Sequence, residues 1–365
     1  MRVSKAIVPK RRWALPAAAC AASVISAVGA SASMAAKRAA TPHAVKHVKV
    51  AFIYSDNTQD AMQEMGLGAA AAAAHSPGVS FYEEGTNGVN GPEEVQNFQT
   101  AEVKSPDGIA METLTPADFT RPLQIAVGKK IPLIAVDTAP PAGSGVTLYV
   151  GNSNMALGEK LATSLLPYIP KNKSGYILIG QDIPGLPVLA DRIAGMVKVL
   201  KAQRPKITIK QFDSEQATSA NYAAWANELK AYPHPLACMA PGNTDAISVA
   251  DVERHTGARY VVGQADVAPQ ALQGIKQGLV TLVVSPEHWL KGYIAEALLI
   301  KHAQTGAPLP KGWWNPGMLL VNKKNINQII ARQSNADTRY QWFKKEVTYE
   351  LANPSKYLKP MSAAN

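Results

Sequence analysis

The sequence predicts an α/β protein of two lobes, each built on a mostly parallel sheet with helices on its faces. Three observations carry this. Short all-apolar runs recur along the chain, as strands buried on both faces require. Between them lie segments with apolar residues at helical spacing, so that strand and helix alternate with roughly the period of a strand-helix-strand unit. The alternation breaks at Pro140-Pro141-Ala142-Gly143-Ser144-Gly145 and then starts afresh, which divides it into two series of similar size.

The first unit is the clearest. Residues 48–54 are apolar apart from Lys49, Ser55-Asp56-Asn57-Thr58 break the run, and Ala61, Met65, Ala69 and Ala72 then recur on one helical face. Side-chain oxygens at such a junction cap the helix. They can also, with the free N–H groups and the positive end of the dipole, receive an oxygen-rich ligand. A second strand is expected at 79–83 and a helix from Pro92 with Val95, Phe98 and Val103 on one face. A third strand at 108–111 ends at Glu112-Thr113, a helix runs from Thr115-Pro116 to Gly128, and a fourth strand at 131–136 ends at Asp137-Thr138.

The second series follows a short strand at 147–150. Its strands are expected at 175–179, 207–212, 236–240, 260–262 and 279–284, and its helices at 154–168, 186–203, 222–231, 246–255 and 268–277. A helix after Leu290, a Pro/Gly/Trp segment at 308–317, a strand at 318–321 and a polar tail complete the chain. We divide it into a first lobe (46–149 with 286–317), a second lobe (150–285 with 318–330) and a C-terminal tail (331–365). These are two Rossmann-like lobes joined by crossovers near Val150, Ser285 and Met318. In open parallel sheets ligands collect at the carboxyl ends of the strands, so two such lobes facing one another make a ligand clamp.

The N-terminus carries Arg2, Lys5, Lys10, Arg11 and Arg12 without an acid, then an apolar run to Ala30 and small residues around Ala32 and Ala35. Residues 1–35 read as a cleaved export signal. Cys20 follows Ala17-Ala18-Ala19, a poor lipid-attachment box, so no lipid anchor is expected. These five cations account for half of the formal net charge of +10. No Lys/Arg-rich block with interleaved aromatics appears, which speaks against nucleic-acid binding. Cys238, the cysteine that would remain after cleavage, lies in an apolar run and reads as strand filler.

Several stretches resemble a known family: residues 49–66, Ile131-Pro132-Leu133-Ile134-Ala135-Val136-Asp137, Val150-Gly151-Asn152-Ser153-Asn154 leading to Gly158, Arg192 with Gly195, Asn221-Tyr222, and Val261-Val262-Gly263. In order and spacing, from about Val48 to Gly306, they are similar to the type I periplasmic substrate-binding proteins of ABC importers, in the ribose-binding-like branch. The resemblance implies a monomeric periplasmic protein that captures a small polar ligand, a sugar or polyol, and delivers it to an ABC permease, without cofactor or metal. It implies ligand contacts at Asn57 and Asp137 in one lobe and at Tyr222 and Asp266 in the other. With the neighbouring strand-end groups, the candidate ligand-binding set is Ser55, Asp56, Asn57, Gln59, Asp60, Glu112, Asp137, Thr138, Tyr222, Asn243, Asp266, Glu287 and Trp289.

Departures from the family pattern bear on the ligand. Gln59 and Asp60 stand where sugar-binding relatives place aromatics. The position of a sugar-clamping arginine falls near Ala190, with Arg192 matching a structural arginine. Ser285-Pro286-Glu287-His288-Trp289 lacks the usual glutamine, which is why Glu287 and Trp289 are taken as substitutes. Such a pocket is more acidic and less aromatic than a common pentose site, and admits a polyol, an unusual sugar or an amine-bearing ligand. Two other readings remain open. Asp56, Glu112 and Asp137 at strand ends could form the carboxylate pair of a hydrolase, and the same clamp could serve as a secreted sensor subunit for a membrane receptor.

Overall fold

A computed structural model describes residues 45–364; residues 1–35, expected to be an export signal and including Cys20, lie outside the described residues, as does Asn365. The chain begins with β1 (Val48–Tyr54), α1 (Asp60–Ala74), β2 (Val79–Gly85), α2 (Gly91–Lys104), β3 (Gly108–Glu112), α3 (Thr120–Gly128), β4 (Leu133–Val136) and β5 (Leu148–Val150). The second series is α4 (Asn154–Leu165), β6 (Gly175–Gln181), α5 (Pro187–Gln203), β7 (Ile207–Asp213), α6 (Thr218–Ala231), β8 (Ala237–Ala240), α7 (Asp245–Thr256), β9 (Val262–Ala265), α8 (Pro269–Gln277) and β10 (Leu282–Ser285). Then come α9 (His288–Thr305), β11 (Gly312–Trp314), β12 (Leu319–Asn322), α10 (Ile326–Arg332), α11 (Ala336–Ala352) and β13 (Leu358–Lys359).

Two sheets organise these elements. One has the order β13-β11-β5-β4-β3-β1-β2 and the other β12-β10-β9-β8-β6-β7. Every pairing is parallel except at the edges, where β13 and β12 run antiparallel to their neighbours. Val50, Ala51, Phe52 and Ile53 of β1 are all fully buried, because helices cover both faces of the sheet. Truncating a side chain such as Phe52 to alanine there would cost about 3–5 kcal/mol. No helix among the described residues is long and apolar enough to cross a membrane.

Each lobe is knit by one tight helix pair. In the first, α1 packs on α9 through two glycines: a Cβ on Gly68 would collide with the carbonyl oxygen of Trp289, and one on Gly292 with that of Met65. The second repeats the device with α4 on α5, where a Cβ on Gly158 would meet the Arg192 carbonyl and one on Gly195 that of Met155. Backbone-to-backbone packing of this kind fixes the height and rotation of α5 and α9, and both helices carry charged side chains to the space between the lobes.

Residues 331–364, set apart in the sequence as a tail, are folded. Helix α10 packs on α8 of the second lobe, whereas α11 packs on α9 and α1 of the first. Arg332, at the end of α10, donates to both carboxylate oxygens of Glu287 at 3.2 and 2.9 Å. Gln333 and Arg339 donate to Glu64 on α1 at 2.7 to 2.9 Å. Trp314 Nε1 donates to Glu350 at 2.9 Å, and β13 pairs with β11. The chain therefore crosses between the sheets at 151–153, 286–287 and 315–318, and again at 333–335 between the two C-terminal helices.

Candidate functional site

The strand ends meet in a narrow slot between the lobes, lined by Asp137 from β4, Asp182 from β6, Asp266 from β9, Arg192 from α5 and His288 from α9. Asp137 and Asp266 each follow directly on a strand and each adopt the left-handed conformation, φ 62° and 67°. That conformation is unfavourable for a residue with a Cβ and characteristic of functional sites. It turns both carboxylates out of their sheets and toward the slot.

An alternating chain of donors and acceptors links them. Lys291 Nζ, fully buried on α9, donates to Asp137 Oδ1, and lies 3.2 Å from His288 Nδ1. His288 Nε2 is 2.8 Å from Asp266 Oδ1, and Arg192 Nη1 is 3.2 Å from Asp266 Oδ2. A neutral imidazole satisfies this arrangement when Nδ1 accepts from Lys291 and Nε2–H donates to Asp266, a tautomer assigned from its partners. Arg192 also donates to Asn154 at 3.0 Å and to the Pro241 carbonyl at 2.8 Å. Burial opposes ionisation of Asp137, but Lys291, with Arg192 behind it, outweighs burial and holds the carboxyl well below the usual range. Arg192 and His288 do the same for Asp266 against its burial. Burial pushes the Lys291 ammonium down despite Asp137.

Outside this slot lies a wider mouth, a cavity of about 500 Å³ lined by Asp56, Thr58, Gln59 and Asp60 from one lobe and by Gln216, Thr218 and Asn243 from the other. Asn243 Nδ2 donates to Gln59 Oε1 at 3.2 Å, bringing the lobes together at its base. Asp56 shapes the rim: its Oδ1 accepts from Thr58 N at 2.8 Å, Thr58 Oγ1 at 2.6 Å and Gly88 N at 3.2 Å. Burial raises the Asp60 carboxyl, with Glu64 adding to it. The slot itself holds about 40 Å³, room for roughly three waters.

The structure thus gathers Asp56, Gln59, Asp60, Asp137, Asn243 and Asp266 around one cleft. Thr138 faces a neighbouring cavity beside Tyr149 and Asn152. The remaining candidates are placed elsewhere. Ser55 and Glu112 lie one layer below the slot, where Glu112 Oε2 accepts from Ser55 N at 3.0 Å and Ser55 Oγ at 2.7 Å. Burial, then Asp137, pushes Glu112 up to about 8. Asn57 is exposed, with Nδ2 3.4 Å from the Gly85 carbonyl. Glu287 is taken up by Arg332. Trp289 stacks between Tyr293 and Phe343 in the core of the first lobe. Tyr222 packs edge-on against His255 of α7, because α6 begins at Thr218 and so carries Tyr222 one turn below the cleft.

Arg192, expected as a structural arginine, lines the cleft while anchoring it. Asp182, His288 and Lys291 were not among the candidates. The legible signal for Asp182 was the polar pair Gln181-Asp182 directly after the apolar run 176–180, and for Lys291 a cation among the mostly apolar residues 289–295 of its helix.

Comparison with known proteins matches the periplasmic binding protein domain over residues 50–307. The xylose/arabinose-binding protein XylF of Sulfolobus acidocaldarius is 23% identical over 265 residues, 68% of this chain, and the match spans 65% of that relative's length. Among solved structures, a solute-binding protein of an ABC transporter from Burkholderia graminis, in complex with D-arabinose, superposes with a TM-score of 0.71 at 22% identity, covering 78% of this chain and 98% of that one. The arabinose-binding protein AraP of Geobacillus stearothermophilus does so with a TM-score of 0.67 at 20% identity, covering 77% and 99%. These structures share the two-lobed fold. With the family match extending over most of the chain, the protein belongs to the periplasmic binding protein family.

Proposed function

We propose that this chain is an extracytoplasmic solute-binding protein that takes a small polyhydroxyl ligand, a sugar or polyol, between its lobes and hands it to the permease of an ABC importer. The observation that carries this reading is the pair Asp137 and Asp266, one from each lobe, turned into the same slot. A carboxylate kept ionised by a neighbouring cation accepts hydrogen bonds from adjacent hydroxyls, and one from each lobe makes ligand contact favour the closed clamp over the open one. The sugar-binding relatives support the ligand class. Gln59, Asp60 and Asn243 complete the contacts, with Asp56 and Thr138 at the margins. The lobes, 46–149 with 286–317 and 150–285 with 318–330, turn about the crossovers. Residues 1–35 direct export, and the mature chain acts as a monomer that leaves its ligand chemically unchanged.

Thermal melts of the secreted protein against D-arabinose, D-xylose, D-ribose, D-galactose and xylitol test this. A ligand present at a hundredfold over its Kd adds about 2.7 kcal/mol to the native state and raises Tm by several degrees. Unchanged melting across neutral sugars and polyols would overturn the reading.

A further inference from the structure

We infer that Asp182 is the group through which this cleft chooses among polyhydroxyl ligands, and that its chosen ligand carries a protonated amine, as an amino sugar or an aminated polyol does. The inference rests on the solute-binding reading above and narrows its ligand.

Three carboxyls line the slot, and two are already matched. Asp137 has Lys291, while Asp266 has Arg192 and His288. Asp182, only 6% exposed at the end of β6, makes no ion pair among the described residues, and its Oδ1 has no hydrogen-bond partner. It is held there by the chain itself, since a Cβ on Gly242 would crowd both of its carboxylate oxygens. A further acid stands close by. Asp245, fully buried in the first turn of α7, accepts from Trp225 Nε1 at 2.7 Å and from Asn221 Nδ2 at 3.4 Å, and its Oδ2 is also unpartnered. The slot and its backing thus hold more carboxyls than cations, and of the surplus Asp182 lines the slot a ligand would enter. A neutral hydroxyl could bond to Asp182 but would leave that surplus unchanged. An ammonium group supplies the donor and the missing charge together.

Proton bookkeeping gives the idea a second handle. Burial first, then Asp245, raises the proton affinity of Asp182 well above that of an ordinary carboxyl; Asp266 adds to this and Arg192 opposes it. Asp137 and His288 face the same slot from the other lobe. Asp182 and Asp245 therefore titrate as a pair that retains a proton near neutrality. When an ammonium N–H bonds to the Asp182 carboxylate, the carboxyl proton leaves for the buffer. A neutral ligand has no such effect.

Calorimetry on the secreted full chain should compare D-glucosamine with D-glucose, D-galactosamine with D-galactose, and 1-amino-1-deoxyxylitol with xylitol. In at least one pair the amine should bind on the order of tenfold tighter or better, and Asp182→Asn should bring the ratio close to one. In the unsubstituted protein, titrations in two buffers of different ionisation heat, at one pH low enough that the free amine is fully protonated, should show heats that differ for the amine and agree for its neutral partner, the signature of a released proton. This second measurement decides the matter even where the variant does not fold. A neutral partner binding as tightly as its amine in every pair would overturn the inference and leave the solute-binding reading standing. So would no binding by any pair alongside a neutral pentose that raises Tm. Only silence from both panels would remove the reading on which it rests.

Discussion

Asp137 and Asp266 occupy matching strand ends with matching backbone conformations, yet their lobes neutralise them by different means. The first lobe uses Lys291, a single fully buried point charge on α9. The second uses Arg192, whose guanidinium also holds Asn154 and the Pro241 carbonyl, so that cation, helix and loop are fixed together. His288 alone spans the two pairs, rooted beside Lys291 and bonded to Asp266. Duplicated geometry thus does not require duplicated chemistry. A planar fork organises several partners at once, whereas an ammonium on a flexible stem depends on burial and on one strong acceptor.

The sharpest way to break the comparison is Lys291→Met, which leaves the buried Asp137 without its cation. We expect a loss of about 3–5 kcal/mol in chemical denaturation, much of it recovered in the double variant with Asp137→Asn. Recovery no greater than additive would mean that the lysine acts through packing alone.

The aspartates themselves come next. Asp137→Asn should weaken binding of whichever sugar raises Tm by roughly tenfold to a hundredfold. Asp266→Asn should fall at the upper end of that range, because it also loosens Arg192 and His288. Calorimetry with equal affinities for both variants and the parent protein would place the ligand elsewhere.

The acid layer below the slot sets a pH dependence. Glu112 is pushed up to about 8 by burial and Asp137, and Glu94 to about 9 by burial and Glu112. Above their ordinary value near 4.5 the native state still holds protons that the unfolded chain has released. Their contribution is therefore full below that value and is lost as pH rises toward 8 and 9, at up to about 1.4 kcal/mol per pH unit for each group. Denaturation between pH 5 and 9 should follow this decline, and Glu112→Gln should flatten it. Asp137 and Asp266, held low, act oppositely, and their contribution disappears only in acid. The smallest effect belongs to His288→Gln, about 1 kcal/mol at most, seen as a larger radius of gyration by small-angle scattering because one bond between the lobes is lost.

The alternation of strand and helix was legible because buried parallel strands and amphipathic helices write different periods, and the polar residues after those strands pointed to Asp137, Asp266, Gln59 and Asn243. What escaped depended on rotation and on distance in the chain. A helix that begins at Thr218 in place of 222 turns Tyr222 away from the cleft. Trp289 neighbours His288 in sequence, yet one step along a helix separates side chains by roughly 100°, enough to send one to the core and the other to the slot. Lys291 meets Asp137 across 154 residues, a partnership no local pattern records.

The segment between α10 and α11 has a kinetic consequence. Its two ends are fastened to different lobes, by the packing of α10 on α8 on one side and by Arg339 to Glu64 on the other. A hinge with this additional tether keeps its halves at high effective concentration, so the lobes separate through a shorter arc and re-close sooner. The residence time of a captured ligand is then governed partly by a helix that never touches it. Removing residues 333–365 should raise the dissociation rate in stopped-flow measurements more than it lowers the association rate.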